Sequence, residues 1–142
     1  MRGRPLARRL RPHATDYVVL KTKHSGFYAT TLELLLHYLK ADTLVLTGLT
    51  GDRCVLFTAA DAFMRDYRLA VPADCVASIE PEHNRHALGE MARLFDADLG
   101  VSTRLALSRA GLSTRGREGA GRPRSAPARS ARPARGSRAP AA

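Results

Sequence analysis

Residues 43–67 read TLVLTGLTGDRCVLFTAADAFMRDY, and this stretch decides the architecture. It opens with Leu44-Val45-Leu46-Thr47, a short apolar, β-branched run of the kind that forms a buried strand in a parallel sheet. Gly48-Leu49-Thr50-Gly51-Asp52 interrupts the run, and a helix is predicted from about Arg53 to Asp66. Cys54 therefore falls at the tip of a strand, in the first turn of a helix. Unpaired backbone N–H groups and the positive end of the helix dipole converge there. Both favour the thiolate, the nucleophilic form of cysteine. The same N–H groups can hold an oxyanion developing beside the sulfur. The plainer alternative is a small buried apolar residue, the role of many free cysteines.

Working outward, Asp16 to Lys21 is predicted as a strand, with Tyr17-Val18-Val19-Leu20 supplying β-favouring bulk. From Tyr28 or Thr30 to Lys40 a helix is predicted, because Leu32, Leu35, Leu36 and Leu39 recur at helical spacing. The second strand runs from Asp42 to Thr47. The helix after it is apolar nearly all round in its first two turns (Val55, Leu56, Phe57, Ala59, Ala60), which predicts burial between layers. Arg68 to Val71 reads as a short strand. Pro81 to Phe95 reads as a helix with Ala87, Leu88, Met91 and Leu94 inward, and Asp98 to Val101 as a last strand. Strands alternating with helix-length crossovers indicate a parallel α/β sheet.

The chain has 142 residues and a formal charge of +10, which by itself suggests a nucleic-acid binder. Its distribution argues otherwise. Residues 1–12, an arginine-rich lead, hold five arginines and no acid, whereas residues 13–108 hold nine Lys/Arg against twelve Asp/Glu. Residues 109–142 hold nine arginines and only Glu118. The middle is a mildly acidic domain, and the basicity lies at its ends. Past Leu112, Arg, Ala, Pro, Gly and Ser dominate; such a segment buries too little to offset its chain entropy, so residues 109–142 are predicted to be a disordered tail. Without aromatics or an RGG or RS repeat, that tail reads as a solvated extension, and nucleic acid is not the expected partner. Two cysteines without a pairing pattern suggest a reducing compartment. Neither a membrane-length apolar run nor the apolar core of a signal peptide is found, so a cytoplasmic location is expected.

Three words in order carry a family resemblance. Asp16-Tyr17-Val18-Val19-Leu20-Lys21 followed by His24-Ser25-Gly26-Phe27 and Thr31-Leu32 resembles the lysine segment of isochorismatase-like cysteine hydrolases. Thr47-Gly48-Leu49-Thr50-Gly51-Asp52-Arg53-Cys54-Val55, then Thr58-Ala59-Ala60-Asp61-Ala62, resembles their nucleophile segment. Asp74-Cys75-Val76-Ala77-Ser78 before Glu80-Pro81-Glu82-His83 resembles the segment that follows. The resemblance covers about residues 3 to 104. The group includes nicotinamidases, isochorismatases and N-carbamoyl-amine hydrolases.

The resemblance implies a Rossmann-like, doubly wound parallel sheet in three α/β/α layers. It implies Cys54 as nucleophile and Lys21, rather than Lys23, as the supporting lysine; either lysine could also be a solvated strand end. It implies a cis peptide between Leu49 and Thr50 that aims the amides of Thr50 and Cys54 at the oxyanion. The substrate class implied is a small-molecule amide cleaved at its C–N bond, with no cofactor. The family aspartate that takes the thiol proton has no match: Asp16, Asp42, Asp52 and Asp61 all fall elsewhere. Nor does the histidine-rich metal site of nicotinamidase-type members; His83 and His86 lie at i, i+3 without further ligands and read as surface residues, so no metal is expected. The family's first two strands are likewise unmatched, which leaves a gap of roughly 10–15 Å at parallel-strand spacing between the strands at Tyr17–Lys21 and Thr43–Thr47. The chain thus reads as a C-terminal portion of such a hydrolase, impaired by the absent aspartate and open to homo-oligomer formation across the gap. The alternative is a non-catalytic remnant or binding module whose basic arms contact polyanions.

Overall fold

The computed structural model describes residues 8–108 and 111–114. Helix α1 spans Leu32–Tyr38, strand β1 Thr43–Val45 and strand β2 Gly48–Leu49. A π-helical turn over Gly51–Val55 leads into α2, Leu56–Phe63. Then come β3 (Arg68–Ala70), a 3-10 turn at Ala73–Cys75, β4 (Val76–Ala77) and α3 (Pro81–Phe95). A second 3-10 turn at Ser102–Arg104 precedes β5 (Leu105–Ser108) and β6 (Gly111–Thr114).

The sheet is parallel where it positions the site. β1 pairs with β3 in the register Thr43–Arg68, Leu44–Leu69, Val45–Ala70, and Ala70 bridges in parallel to Asp98 on its other side. β3 is thereby central, and Leu69, Ala70 and Val71 are all buried. β2 pairs in parallel with β4, Gly48 opposite Val76 and Leu49 opposite Ala77. The expected doubly wound sheet is thus present as two short parallel pairs with helices packed on them. The predicted strand at Asp98–Val101 shrinks to the bridge at Asp98.

α3 follows its sequence signals closely. Pro81 occupies the first turn, where its missing N–H costs nothing. Asp96 ends the helix in the left-handed region at φ 51°, and the Ala97 N–H returns to the Met91 carbonyl at 3.2 Å. Ala87, Leu88 and Met91 are buried against Ala59 and Ala62 of α2 and against Leu44, Leu69, Val71 and Val76 of the strands. Leu94, expected to face inward, is 47% exposed. α2 is buried on one stripe rather than all round: Val55, Ala59 and Ala62 are inside, whereas Phe57 is 52% exposed. α1 is shorter than its leucine pattern predicted and has no fully buried residue; Leu32 and Leu36 rest on the core while Leu39 is exposed.

The largest departure is at Asp16–Lys21. This segment forms no strand, and its side chains are uncovered, Val18 at 70% and Leu20 at 87% exposure. A strand exists only through its ladder, and among the described residues no neighbour pairs with this one. β5 and β6 form an antiparallel hairpin in the register Leu105–Thr114 to Ser108–Gly111, so Gly111–Thr114 is a strand within the segment expected to be disordered; the rest of the expected tail, like the first residues of the arginine-rich lead, lies outside the described residues. No helix among the described residues is long and apolar enough to cross a membrane.

Candidate active site

The site begins where β1 runs into the turn. Gly48, the first residue of β2, lies at φ +105°, a region open to glycine and strained for other residues. The Leu49–Thr50 peptide is cis. The Thr50 carbonyl then accepts the N–H of Arg53 at 3.2 Å and that of Val55 at 3.1 Å. The second of these bonds reaches one residue further than an α-helical bond and makes the turn wide, a local geometry frequent at functional sites. Cys54 sits inside this π turn. The regular helix, predicted to start at Arg53, starts only at Leu56.

A second layer holds the turn from behind. Asp52 N–H donates to Ser78 Oγ at 3.1 Å, and Ser78 Oγ donates to Asn84 Oδ1 at 3.1 Å. Asn84 Nδ2 closes the network on the Val76 carbonyl at 3.1 Å. Gly51 lies so close to this clamp that a Cβ there would stand 2.8 Å from Val76 Cγ1 and against Asn84 Oδ1. The Ser78 hydroxyl, Thr50 and then Arg53 hold the Asp52 carboxyl below the usual range, so it is ionised at neutral pH.

The Lys21 segment reaches the same place from the other side. Gly26 N–H donates to Thr58 Oγ1 at 2.9 Å, and Thr58 Oγ1 donates to the Cys54 carbonyl at 2.6 Å. One side chain therefore ties both segments together. Ser25 and Phe27 are buried, the Arg65 guanidinium lies 4.8 Å above the Phe27 ring, and Thr30 Oγ1 donates to the Gly26 carbonyl. Anchored in this way, Lys21 Nζ donates to Cys54 Sγ at 3.3 Å and to the Lys23 carbonyl at 3.0 Å. His24 Nδ1 stands 3.9 Å from the same sulfur. Lys21 and Cys54 border a cleft of about 140 Å³ together with Leu46, Thr47, Leu49 and Thr58.

The family model described as the isochorismatase domain matches residues 2–100. The chain belongs to the isochorismatase family. It is 41% identical over 98 residues to the uncharacterized isochorismatase family protein YaaI of Bacillus subtilis, covering 69% of this chain and 54% of that protein. It is 36% identical to the maleamate amidohydrolase of Pseudomonas putida, covering 68% of this chain and 44% of the relative. Among solved structures, the N-carbamoylsarcosine amidase of Thermoplasma acidophilum superposes with a TM-score of 0.59 at 43% identity, over 65% of this chain and 51% of that one. The chain thus spans about half the length of these family members.

Within the family framework, the sequence words single out Lys21, Thr50 and Cys54, and the fold draws the first and last together across 33 residues. Both cysteines are free thiols, and Cys75 lies elsewhere, in the turn before β4. His83 and His86 are exposed on α3, and among the described residues no group of three or more His, Cys, Asp and Glu side chains is placed to hold a metal ion. Sequence reasoning missed the mechanical roles of Thr58, Ser78 and Asn84. Thr58 and Ser78 fall inside the family words, which was the one available signal; their partners across the fold, Gly26 and Asp52, lie 32 and 26 residues away and carry no local pattern.

Proposed function

We propose that this chain carries the nucleophilic centre of a cysteine hydrolase that cleaves the C–N bond of a small-molecule amide through a thioester on Cys54. The observation that carries the reading is the 3.3 Å contact of Lys21 Nζ with Cys54 Sγ at the wall of a cleft. A lysine ammonium donating to sulfur stabilises the thiolate over the thiol. The amides of Thr50 and Cys54, flanking the turn, are assigned to the oxyanion, where donors fixed in advance lower the barrier most. Maleamate amidohydrolase and N-carbamoylsarcosine amidase, by their names, act on amide-type bonds, which supports the same bond class here. The reading includes a small-molecule substrate, no cofactor and a reducing, cytoplasmic setting, in which a thiolate nucleophile survives.

The test is ammonia release from a panel of maleamate, nicotinamide and N-carbamoylsarcosine, combined with mass spectrometry of the acylated protein. Turnover that disappears in Cys54→Ala, with an acyl adduct on the peptide containing Cys54, is the expected result. Hydrolysis that persists in Cys54→Ala, or an adduct on Cys75 instead, overturns the reading.

A further inference from the structure

A second cavity, of about 560 Å³, lies at the opposite end of the strands from Cys54. Arg68 and Leu69 of β3 border it, and Arg68 stands opposite Thr43, the first residue of β1. The Cys54 turn follows the far end of that strand. No residue is shared with the cleft at Lys21 and Cys54. One wall is aromatic. Phe63 of α2 and Phe95 of α3 lie with ring centroids 5.4 Å apart, Tyr67 joins them in the lining, and Phe63 is 45% exposed. Asp66 and Asp96 complete the rim.

These two carboxylates stand where helix chemistry argues against them. α2 runs out at Asp66, φ 63°, whose N–H donates to the Phe63 carbonyl at 3.0 Å; the Tyr67 N–H then donates to the Ala62 carbonyl at 3.1 Å. α3 ends in the same conformation at Asp96. Glycine is the usual residue in this position. The last carbonyls around it form the negative end of the helix dipole, where a cation is stabilising and a carboxylate is not. Two helix ends, each carrying an aspartate, thus border one cavity. Local rules broken twice at one place are expected where a ligand compensates. The one cation among the lining residues, Arg68, is already engaged, its guanidinium donating to the Asp42 carboxylate at 2.8 Å. Among the described residues neither Asp66 nor Asp96 takes part in an ion pair.

We infer that this cavity is a binding site for a small organic ammonium, an amine-bearing molecule with an aromatic or apolar body. The ammonium N–H groups donate to the Asp66 and Asp96 carboxylates, a charge-assisted contact. The body packs on Phe63, Tyr67 and Phe95, whose ring faces attract a cation as well as apolar surface. Each half of the lining selects. An anion is repelled by the carboxylates, and a neutral ring leaves them without a partner. A metal ion fits less well, because it needs several converging ligands and no group of three or more His, Cys, Asp and Glu side chains is so placed among the described residues. Neither the carboxylates nor the rings take part at Cys54, so the site stands or falls apart from the thiol chemistry.

The experiment titrates the full chain, labelled with carbon-13 at the methionine methyls, with phenethylammonium chloride and follows the methyl signals by NMR. Met64 borders the cavity, whereas Met91 is fully buried in the core and serves as the internal reference. Met64→Leu assigns the first signal. A saturable shift of the Met64 methyl with a Kd of about 0.1–1 mM is expected, as for a fragment of this size, with the Met91 methyl staying in place. Phenethyl alcohol, the neutral counterpart, is expected to bind about fivefold more weakly or worse. Asparagine tolerates the left-handed region, so Asp66→Asn and Asp96→Asn keep the backbone. Each is expected to weaken binding about three- to tenfold, and the double variant by more than about 20-fold. The inference is overturned if the Met64 methyl shows no saturable shift up to about 20 mM phenethylammonium, or if Met91 shifts as much. Equal affinity for phenethyl alcohol, or wild-type affinity in the double variant, overturns it too. Calcium chloride that shifts Met64 where phenethylammonium does not assigns the cavity to an inorganic cation instead. The comparison with phenethyl alcohol uses the unaltered chain and decides the matter even where a variant folds poorly.

Discussion

Replacing Thr58 with valine keeps the shape of the side chain and removes the one hydroxyl that ties the two halves of the site together. Thr58 Oγ1 accepts the Gly26 N–H at 2.9 Å and donates to the Cys54 carbonyl at 2.6 Å. Each such bond contributes about 0.5–1.5 kcal/mol net, so losing both costs about 1–3 kcal/mol. The upper half of that range applies here, because the Gly26 N–H is part-buried and is left without this partner. The substitution also frees the backbone that carries Lys21 and His24, so the geometry at the sulfur loosens together with the stability. Urea unfolding followed by circular dichroism reads the first effect as a lower midpoint at unchanged m-value. Iodoacetamide labelling reads the second as a lower Cys54-to-Cys75 rate ratio under conditions where the variant is fully folded. Thr58→Ser, which keeps the hydroxyl, is expected to hold the labelling ratio near wild type. If Thr58→Val unfolds within about 0.3 kcal/mol of wild type, on the scale of a neutral surface change, and labels Cys54 normally, the tie between the two segments does not exist.

Gly51→Ala places a Cβ 2.8 Å from Val76 Cγ1 and against Asn84, so overpacking is expected to cost about 1–3 kcal/mol and to shift the turn that holds Cys54; a melting temperature equal to wild type contradicts this contact. Met91 is fully buried between α2, α3 and the sheet, and Met91→Ala is expected to lose about 2–5 kcal/mol in denaturant titration, with a loss below 1 kcal/mol indicating a loosely packed core. The Ser102 hydroxyl, and then its N–H, bind the Asp74 carboxyl at 2.7 and 2.8 Å and hold its pKa below the usual value. A carboxyl lowered by folding stabilises fully above its unfolded pKa of about 3.9 and loses that contribution as the pH falls through the folded value. The urea midpoint is therefore expected to decline with acid below about pH 4, and Asp74→Asn to decline less steeply; equal slopes remove Asp74 from the account.

Much of the architecture was readable from local pattern. The apolar run at Leu44–Thr47, the glycine-bounded turn and the helix after it needed only residue types and spacing, because a strand tip, a left-handed glycine and a helical stripe are local properties. The same holds for α3, where Pro81 and the apolar spacing through Met91 mark a helix whose bounds match the structure. The order of the family words placed Lys21, Leu49, Thr50 and Cys54 among the residues to watch. Other features depended on neighbours. Tyr17–Leu20 has the composition of a strand, yet composition supplies no partner, and without a ladder the segment forms no strand and leaves Tyr17, Val18 and Leu20 exposed. The exposure of Phe57 and Leu94 follows from which face of each helix meets the sheet, a matter of packing rather than of hydrophobicity.

What the sequence by itself determined is the family and the strand–turn–helix unit, and it singled out Lys21, Thr50 and Cys54 as candidates. Tertiary structure alone decided that Lys21 and His24 both reach one sulfur, that Thr58 joins their segment to the Cys54 turn, and that Ser78 and Asn84 brace that turn from behind. The physical reason is distance along the chain. Turn and helix preferences act over a few residues, whereas these contacts span 26 to 33 residues or depend on a side chain so placed, and they form only when the shared core brings the segments together.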